Sequence, residues 1–117
     1  MLTAAEIETV TYDHVALTAA GSGVGSGGMV VIAEGTCMVR LLQILLRFYH
    51  HESCGQCTPC RSGTAKASAL MASARWDRPL LADLGQVMRD ASICGLGQAA
   101  PNVFDCVIKY FPQELQP

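Results

Sequence analysis

From Met38 onward the apolar residues recur with a helical period. Arg40, Gln43, Arg47 and His50 fall on one polar stripe, and Val39, Leu41, Leu42, Ile44, Leu45, Leu46, Phe48 and Tyr49 cover the remainder. An apolar face that wide predicts a helix buried on most sides. Residues 62–75 are rich in alanine and lack glycine beyond the first turn, which predicts a second helix with a small-residue surface, ending before Trp76-Asp77-Arg78-Pro79. Pro79 suits the first turn of a third helix. There Leu80, Leu81, Leu84, Val87 and Met88 recur at three and four residues, and the pattern stops near Cys94-Gly95. A last helix opens near Pro101, carries Val103, Phe104, Val107, Ile108 and Phe111 on one side, and stops at Pro112. Four short helices joined by short loops predict a mainly α fold, a small four-helix bundle.

The N-terminal third reads differently. Residues 1–20 mix Thr, Ala, Glu and Asp without a sustained period, and glycine then alternates through Gly21-Ser22-Gly23-Val24-Gly25-Ser26-Gly27-Gly28, the signature of a tightly turning or flexible loop. Residues 29–33, Met-Val-Val-Ile-Ala, form a β-branched run bounded by Gly28 and by Glu34-Gly35, which predicts one short strand. A lone strand needs a partner, so this one pairs with another chain or belongs to a larger sheet. The expected division is therefore residues 1–36, a glycine-rich segment with one strand left over from a preceding domain, and residues 37–117, a helical domain.

Composition narrows the classes. Over 117 residues, half are apolar and 15% charged, with eight Lys+Arg against ten Asp+Glu and a net charge of -2. No basic cluster is present for a phosphate backbone to meet, so nucleic acid is not an expected partner. The longest apolar stretch, 38–49, is interrupted by Arg40, Gln43 and Arg47. No direct membrane insertion is expected, because a span needs about 20 apolar residues. Residues 1–8 have neither a basic nor an apolar segment of secretory type, so the expected setting is the reducing cytoplasm. There six cysteines read as metal ligands or buried thiols rather than as disulfides.

Cys54-Gly55-Gln56-Cys57-Thr58-Pro59-Cys60 places three thiols at intervals of three between two predicted helices, a spacing that lets one loop wrap three corners of a cuboidal iron-sulfur cluster. Cys94, before Gly95-Leu96-Gly97, is the natural fourth ligand, since a short third helix can return the chain to the same end of the bundle. Structural zinc usually takes its thiolates as two separated pairs, so a zinc-stabilised interaction module without redox role is the less typical, alternative reading of this pattern. Cys37 and Cys106 read as buried thiols packed like small hydrophobes. His50 and His51 close the first helix near the cysteine loop, where a cation would complement the helix C-terminus or sense a cluster's charge; they read as caps rather than ligands. Arg61 either offsets the thiolate charge or is an ordinary exposed arginine. Gly23-Val24-Gly25-Ser26-Gly27-Gly28 matches G-x-G-x-x-G, but no helix is predicted after it, and the dinucleotide reading fails on that context.

Two long motifs, His51-Glu52-Ser53-Cys54-Gly55-Gln56-Cys57-Thr58-Pro59-Cys60-Arg61 and Ser92-Ile93-Cys94-Gly95-Leu96-Gly97-Gln98-Ala99-Ala100-Pro101-Asn102, closely resemble the C-terminal part of the NADH- and FMN-binding flavoprotein subunit of respiratory complex I. The same module recurs in diaphorase subunits of NAD-reducing hydrogenases and NAD-dependent formate dehydrogenases. The likeness extends upstream through residues 25–32 and 36–39, and covers about residues 10–112. It implies one 4Fe-4S cluster on Cys54, Cys57, Cys60 and Cys94, relaying electrons from a flavin reduced by NADH to further iron-sulfur centres. It also implies other subunits or domains of an NADH-oxidising complex as partners, at the cytoplasmic face of the inner membrane if the complex is membrane-bound. The family's FMN and NADH sites lie in an N-terminal part with no counterpart here, so the chain alone is expected to bind neither and to catalyse nothing. Gly55, Gly63, Gly95 and Gly97 are expected to allow close approach of backbone to sulfur.

Overall fold

The computed structural model describes residues 1–73 and 75–115. In chain order it has α1 (Ala4–Thr9), α2 (His14–Ala19), α3 (Met38–Glu52), α4 (Thr58–Met71), α5 (Arg78–Ala91), α6 (Gly95–Ala99), α7 (Asn102–Tyr110) and a terminal 3-10 turn, Pro112–Leu115. The chain divides into two compact units, Met1–Glu34 and Gly35–Pro117.

The first unit contains two helices that periodicity does not reveal, because six residues span fewer than two turns. Their caps account for them. Thr3 accepts from the Glu6 backbone N–H at 3.3 Å while the Glu6 carboxylate accepts from the Thr3 N–H at 2.7 Å, the reciprocal pattern that satisfies free donors at a helix start. Asp13 accepts from the Ala16 N–H at 2.8 Å and opens α2 in the same way. Gly21, Gly25 and Gly27 then adopt positive φ. The expected strand at residues 29–33 is not formed, and no strand occurs among the described residues. Met29, Val30 and Val31 are 79%, 67% and 96% exposed. An extended segment becomes a strand only when a neighbour pairs with its N–H and C=O groups, and β-branched composition cannot replace that neighbour.

The second unit is the helical bundle. Helix α4 packs on α3, α5 and α6, and α7 packs on both α3 and α5. Leu46, Ala67, Met71, Leu81, Met88, Phe104 and Val107 are fully buried between them. On α3 only Met38, Leu42 and Leu46, four residues apart, are buried. The expectation of burial on most sides is corrected here, since Ile44 and Phe48 stand 54% and 58% exposed. A helix at the edge of a bundle has neighbours along one stripe only. Helix α4 begins at Thr58, four residues ahead of the expected start, with Pro59 in its first turn. The third helix and the last lie where periodicity and Pro79 and Pro101 put them. Helix α6 is a short element beyond the four helices that periodicity predicts.

Close approach within the bundle uses glycines on α4 and α5. A Cβ on Gly63 would stand 2.6 Å from Met88 Cγ and Sδ, and one on Gly85 would stand 3.1 Å from Phe104 Cε2. Gly63 thus lets α4 and α5 pack closely. Among the described residues no helix is long and apolar enough to cross a membrane.

The start of α3 is held from the far end of the chain. Cys37, its N-cap, makes no side-chain cap hydrogen bond. The Glu114 carboxylate instead accepts from the Met38 and Val39 N–H groups at 2.9 and 3.3 Å, and its charge complements the positive end of the helix. Replacing Glu114 with Ala should therefore destabilise the fold by about 1 kcal/mol, the usual cost of a lost cap. A lower denaturation midpoint with helix content otherwise unchanged would report it, whereas a midpoint equal to the wild type would show that water caps α3 equally well.

Candidate metal centre

The cysteine loop joins the C-terminus of α3 to the N-terminus of α4. Gly55 takes φ +77° and reverses the chain between Cys54 and Cys57, a conformation available to glycine at little cost. Arg61, one turn into α4, donates from Nη1 to the Gly55 carbonyl at 2.5 Å and ties the loop to the helix. The exposed Arg61 is therefore a clasp on the loop. Ser53 Oγ accepts from the Gly55 N–H at 3.3 Å and lies 3.2 Å from Cys60 Sγ, so the hydroxyl proton is free to point at that sulfur.

The thiols differ in setting. Cys54 is exposed in the loop, Cys57 is half-buried as the N-cap of α4, Cys60 is buried in its first turn, and Cys94 is exposed as the N-cap of α6. Neither N-cap cysteine makes a side-chain cap hydrogen bond. The N-terminus of α4 concentrates free N–H donors and positive potential at Cys57, its N-cap. Hydrogen bonding from the Ile93 backbone, then from that of Cys60, holds the Cys57 thiol below its ordinary value against a smaller desolvation effect. Residue 93, adjacent to Cys94, therefore reaches the cysteine loop.

Two networks support Cys60 from behind. Thr64, fully buried, donates to the Cys60 carbonyl at 2.8 Å, and His50 Nδ1 lies 3.2 Å from the same hydroxyl. With the hydroxyl proton committed to the carbonyl, the geometry assigns the imidazole as the donor in that contact. His50 thus acts in second place behind the loop, and His51 is exposed. On the other side Ser92 closes α5. Its N–H donates to the Met88 carbonyl at 3.2 Å and its own carbonyl accepts from Gln98 Nε2 at 3.0 Å. Its side-chain oxygen is buried without a hydrogen-bond partner, a state that costs about 1–3 kcal/mol.

Gly97 lies where these parts meet. A Cβ there would overlap Ser92 Oγ, stand 2.6 Å from Ser92 Cβ and 2.8 Å from Cys60 Cβ. Gly95, by contrast, has nothing within 4 Å of such an atom. The structure thus brings Cys57 and Cys60 together and sets both against the turn that carries Cys94. Among the described residues no three or more His, Cys, Asp or Glu side chains converge closely enough for a single metal ion. Cys37 caps the opposite end of α3, about 22 Å along a 15-residue helix at 1.5 Å per residue. It is exposed, which corrects the expectation of a buried thiol. Cys106 is half-buried on α7, where burial pushes its thiol up. Sequence reasoning missed Ser53 and Ser92 as site components. Their proximity to cysteine was the only available signal.

Residues 40–117 match the family described as the NADH-ubiquinone oxidoreductase-F iron-sulfur binding region, and the chain belongs to that family. Among related proteins, an F subunit of NADH-quinone oxidoreductase, numbered 2, from Rhizobium meliloti is 39% identical over 111 residues, 90% of this chain and 26% of that protein. The NADP-reducing hydrogenase subunit HndC of Solidesulfovibrio fructosivorans is 36% identical over 113 residues, 92% of this chain and 23% of that protein. The NADH-quinone oxidoreductase F subunit of Rickettsia bellii is 36% identical over 115 residues, 93% of this chain and 28% of that protein. The chain spans about a quarter of the length of these relatives.

Gly97 supplies a direct test of this packing. Gly97→Ala should destabilise the metal-free chain by about 1–3 kcal/mol, the range for overpacking a filled interior. Gly95→Ala should stay within about 0.5 kcal/mol of wild type, as exposed changes usually do. Equal unfolding midpoints for the two variants would contradict the steric account.

Proposed function

We propose that the chain is an electron-transfer module holding one 4Fe-4S cluster on Cys54, Cys57, Cys60 and Cys94. The observation that carries the reading is the Cys-x-x-Cys-x-x-Cys loop at the N-terminus of α4, set against the turn that precedes Cys94. The donor set fits such a group. Four sulfurs, backbone donors and two flanking hydroxyls suit a soft, anionic metal-sulfur centre.

When bound, the cluster supplies one-electron chemistry. The protein holds the four thiolates, offers the Ile93 and Cys60 N–H groups to the sulfur of Cys57, keeps Cys60 away from water, and uses Arg61 to close the loop. Burial and hydrogen bonds to sulfur are the means by which a protein sets such a potential. No nucleophile or acid-base pair is required for the task. The electrons come from a flavin reduced by NADH, carried on a partner or on a further part of the same subunit, and go on to another iron-sulfur centre. The relatives named as subunits of quinone-reducing and hydrogenase complexes support this setting. Residues 1–36 belong to the preceding domain in this reading, residues 37–117 form the cluster domain, and the complex works in or facing the cytoplasm.

Anaerobic reconstitution of the chain should yield about four irons and four sulfides per chain, with a paramagnetic signal after one-electron reduction. Stoichiometric binding of a single zinc in place of iron would defeat the proposal. Ser at any of the four cysteine positions should abolish the cluster, whereas Cys37→Ser and Cys106→Ser should keep it. Without further protein the chain should neither bind FMN nor oxidise NADH.

Metal binding should also stabilise the fold, since the ligands join the α3–α4 loop to the α5–α6 turn and binding energy becomes folding energy. The reconstituted chain should melt at a higher temperature and more sharply than the metal-free chain. Coincident melting curves would show that the apolar core alone maintains the fold.

A further inference from the structure

Ser92 is 6% exposed, and its hydroxyl is the one buried side-chain polar atom without a partner among the described residues. Its backbone is fully engaged, the N–H with Met88 and the carbonyl with Gln98. The orphan is therefore confined to the Oγ–H group. Burying an unpaired hydroxyl is unfavourable, and alanine at the same place would avoid it. The side chain crowds the point above Gly97 that Cys60 Cβ also crowds at 2.8 Å. Residue 93, next in the chain, directs its backbone toward the sulfur of Cys57. The unpaired donor thus lies in the segment just before Cys94 that packs, through Gly97, against the Cβ of Cys60. Ser53 Oγ already lies 3.2 Å from the Cys60 sulfur.

We infer that Ser92 Oγ–H donates to an inorganic sulfide of the iron-sulfur centre, the partner it lacks within the chain itself, and thereby raises the reduction potential. The inference rests on the proposed cluster on Cys54, Cys57, Cys60 and Cys94. A donor aimed at sulfur stabilises the reduced form more, because reduction adds negative charge to the sulfurs that accept the bond. Ser92 is then a tuning residue. It supplies no electron and holds no iron, and its hydrogen bond is the partner that the buried hydroxyl otherwise lacks.

The test uses the full chain after anaerobic reconstitution, comparing Ser92→Ala with wild type. The variant removes one atom from a packed site and adds none. Iron and sulfide content should stay at about four each. A potentiometric titration followed by the paramagnetic signal should show the variant shifted to lower potential. At fixed ambient potential its oxidised-to-reduced ratio should rise about tenfold, which corresponds to about 59 mV for one electron. After exchange into deuterated water, the reduced wild type should show an exchangeable deuteron coupled to the cluster spin, and Ser92→Ala should lack it. The metal-free variant should be as stable as wild type or more so, since it removes an unsatisfied group. Unchanged potential and deuteron coupling in a fully loaded variant would overturn the role of Ser92 while leaving the cluster in place. Failure of the wild type to take up iron and sulfide would overturn both readings. Loss of iron from Ser92→Ala alone would show that the residue governs assembly of the site, and would overturn the tuning role.

Discussion

The contact between the first turn of α4 and the turn spanning residues 92–97 is the constraint on which the helical unit depends. It tolerates no Cβ at Gly97, because Ser92 and the Cβ of Cys60 already occupy that space. Once Cys60 is pinned there, Thr64 follows one helical turn later and receives His50 from α3. Gly63 brings Met88 of α5 against the same helix. The C-terminus of α3, the N-terminus of α4 and the end of α5 are thereby gathered at one end of the bundle. The apolar core, with Leu46, Met71, Leu81 and Phe104 at its centre, supplies cohesion. The glycine contact supplies register.

Backbone hydrogen bonding at that end favours the anionic form of Cys57. The positive end of α4 faces Cys57 and Cys60, and the backbone at residue 93 adds a donor from a different element. The nearest cation on the loop, Arg61, is engaged with the Gly55 carbonyl. Donors on the backbone and on serines have a different consequence from charged side chains. They stabilise negative charge locally without adding a formal charge to the site. At the other end, Glu114 closes α3 from 75 residues away in sequence. Both ends of this helix therefore depend on elements that are distant along the chain.

The four principal helices were legible because their signals are local. Leu81 and Met88 on α5, and Val103, Phe104 and Val107 on α7, recur at helical spacing, and Pro79 and Pro101 punctuate the starts. The cysteine loop was legible for the same reason. Three thiols at intervals of three after a helix have few other uses, and the surrounding motif carried the family resemblance. Less was visible where the deciding contact is remote. Residues 29–33 have the composition of a strand but pair with no neighbour among the described residues, and the buried stripe of α3 is narrower than its apolar surface. Helices α1 and α2 were too short for periodicity, although Thr3 with Glu6, and Asp13, carry their capping chemistry openly.

The sequence by itself determined the helical character of residues 38–110 and the family to which the chain belongs, since each follows from residue type and spacing within a few turns of chain. Tertiary structure alone decided which glycine is indispensable, which hydroxyls stand beside Cys60, and which residue caps α3. Gly63, Gly95 and Gly97 look alike in sequence. Only packing separates one that meets Met88, one that meets nothing, and one that meets both Ser92 and Cys60. The physical reason is that steric exclusion and an unsatisfied hydroxyl are properties of a filled volume, and that volume is enclosed by segments more than 30 residues apart, such as those of Cys60 and Gly97, whose mutual approach no local pattern records.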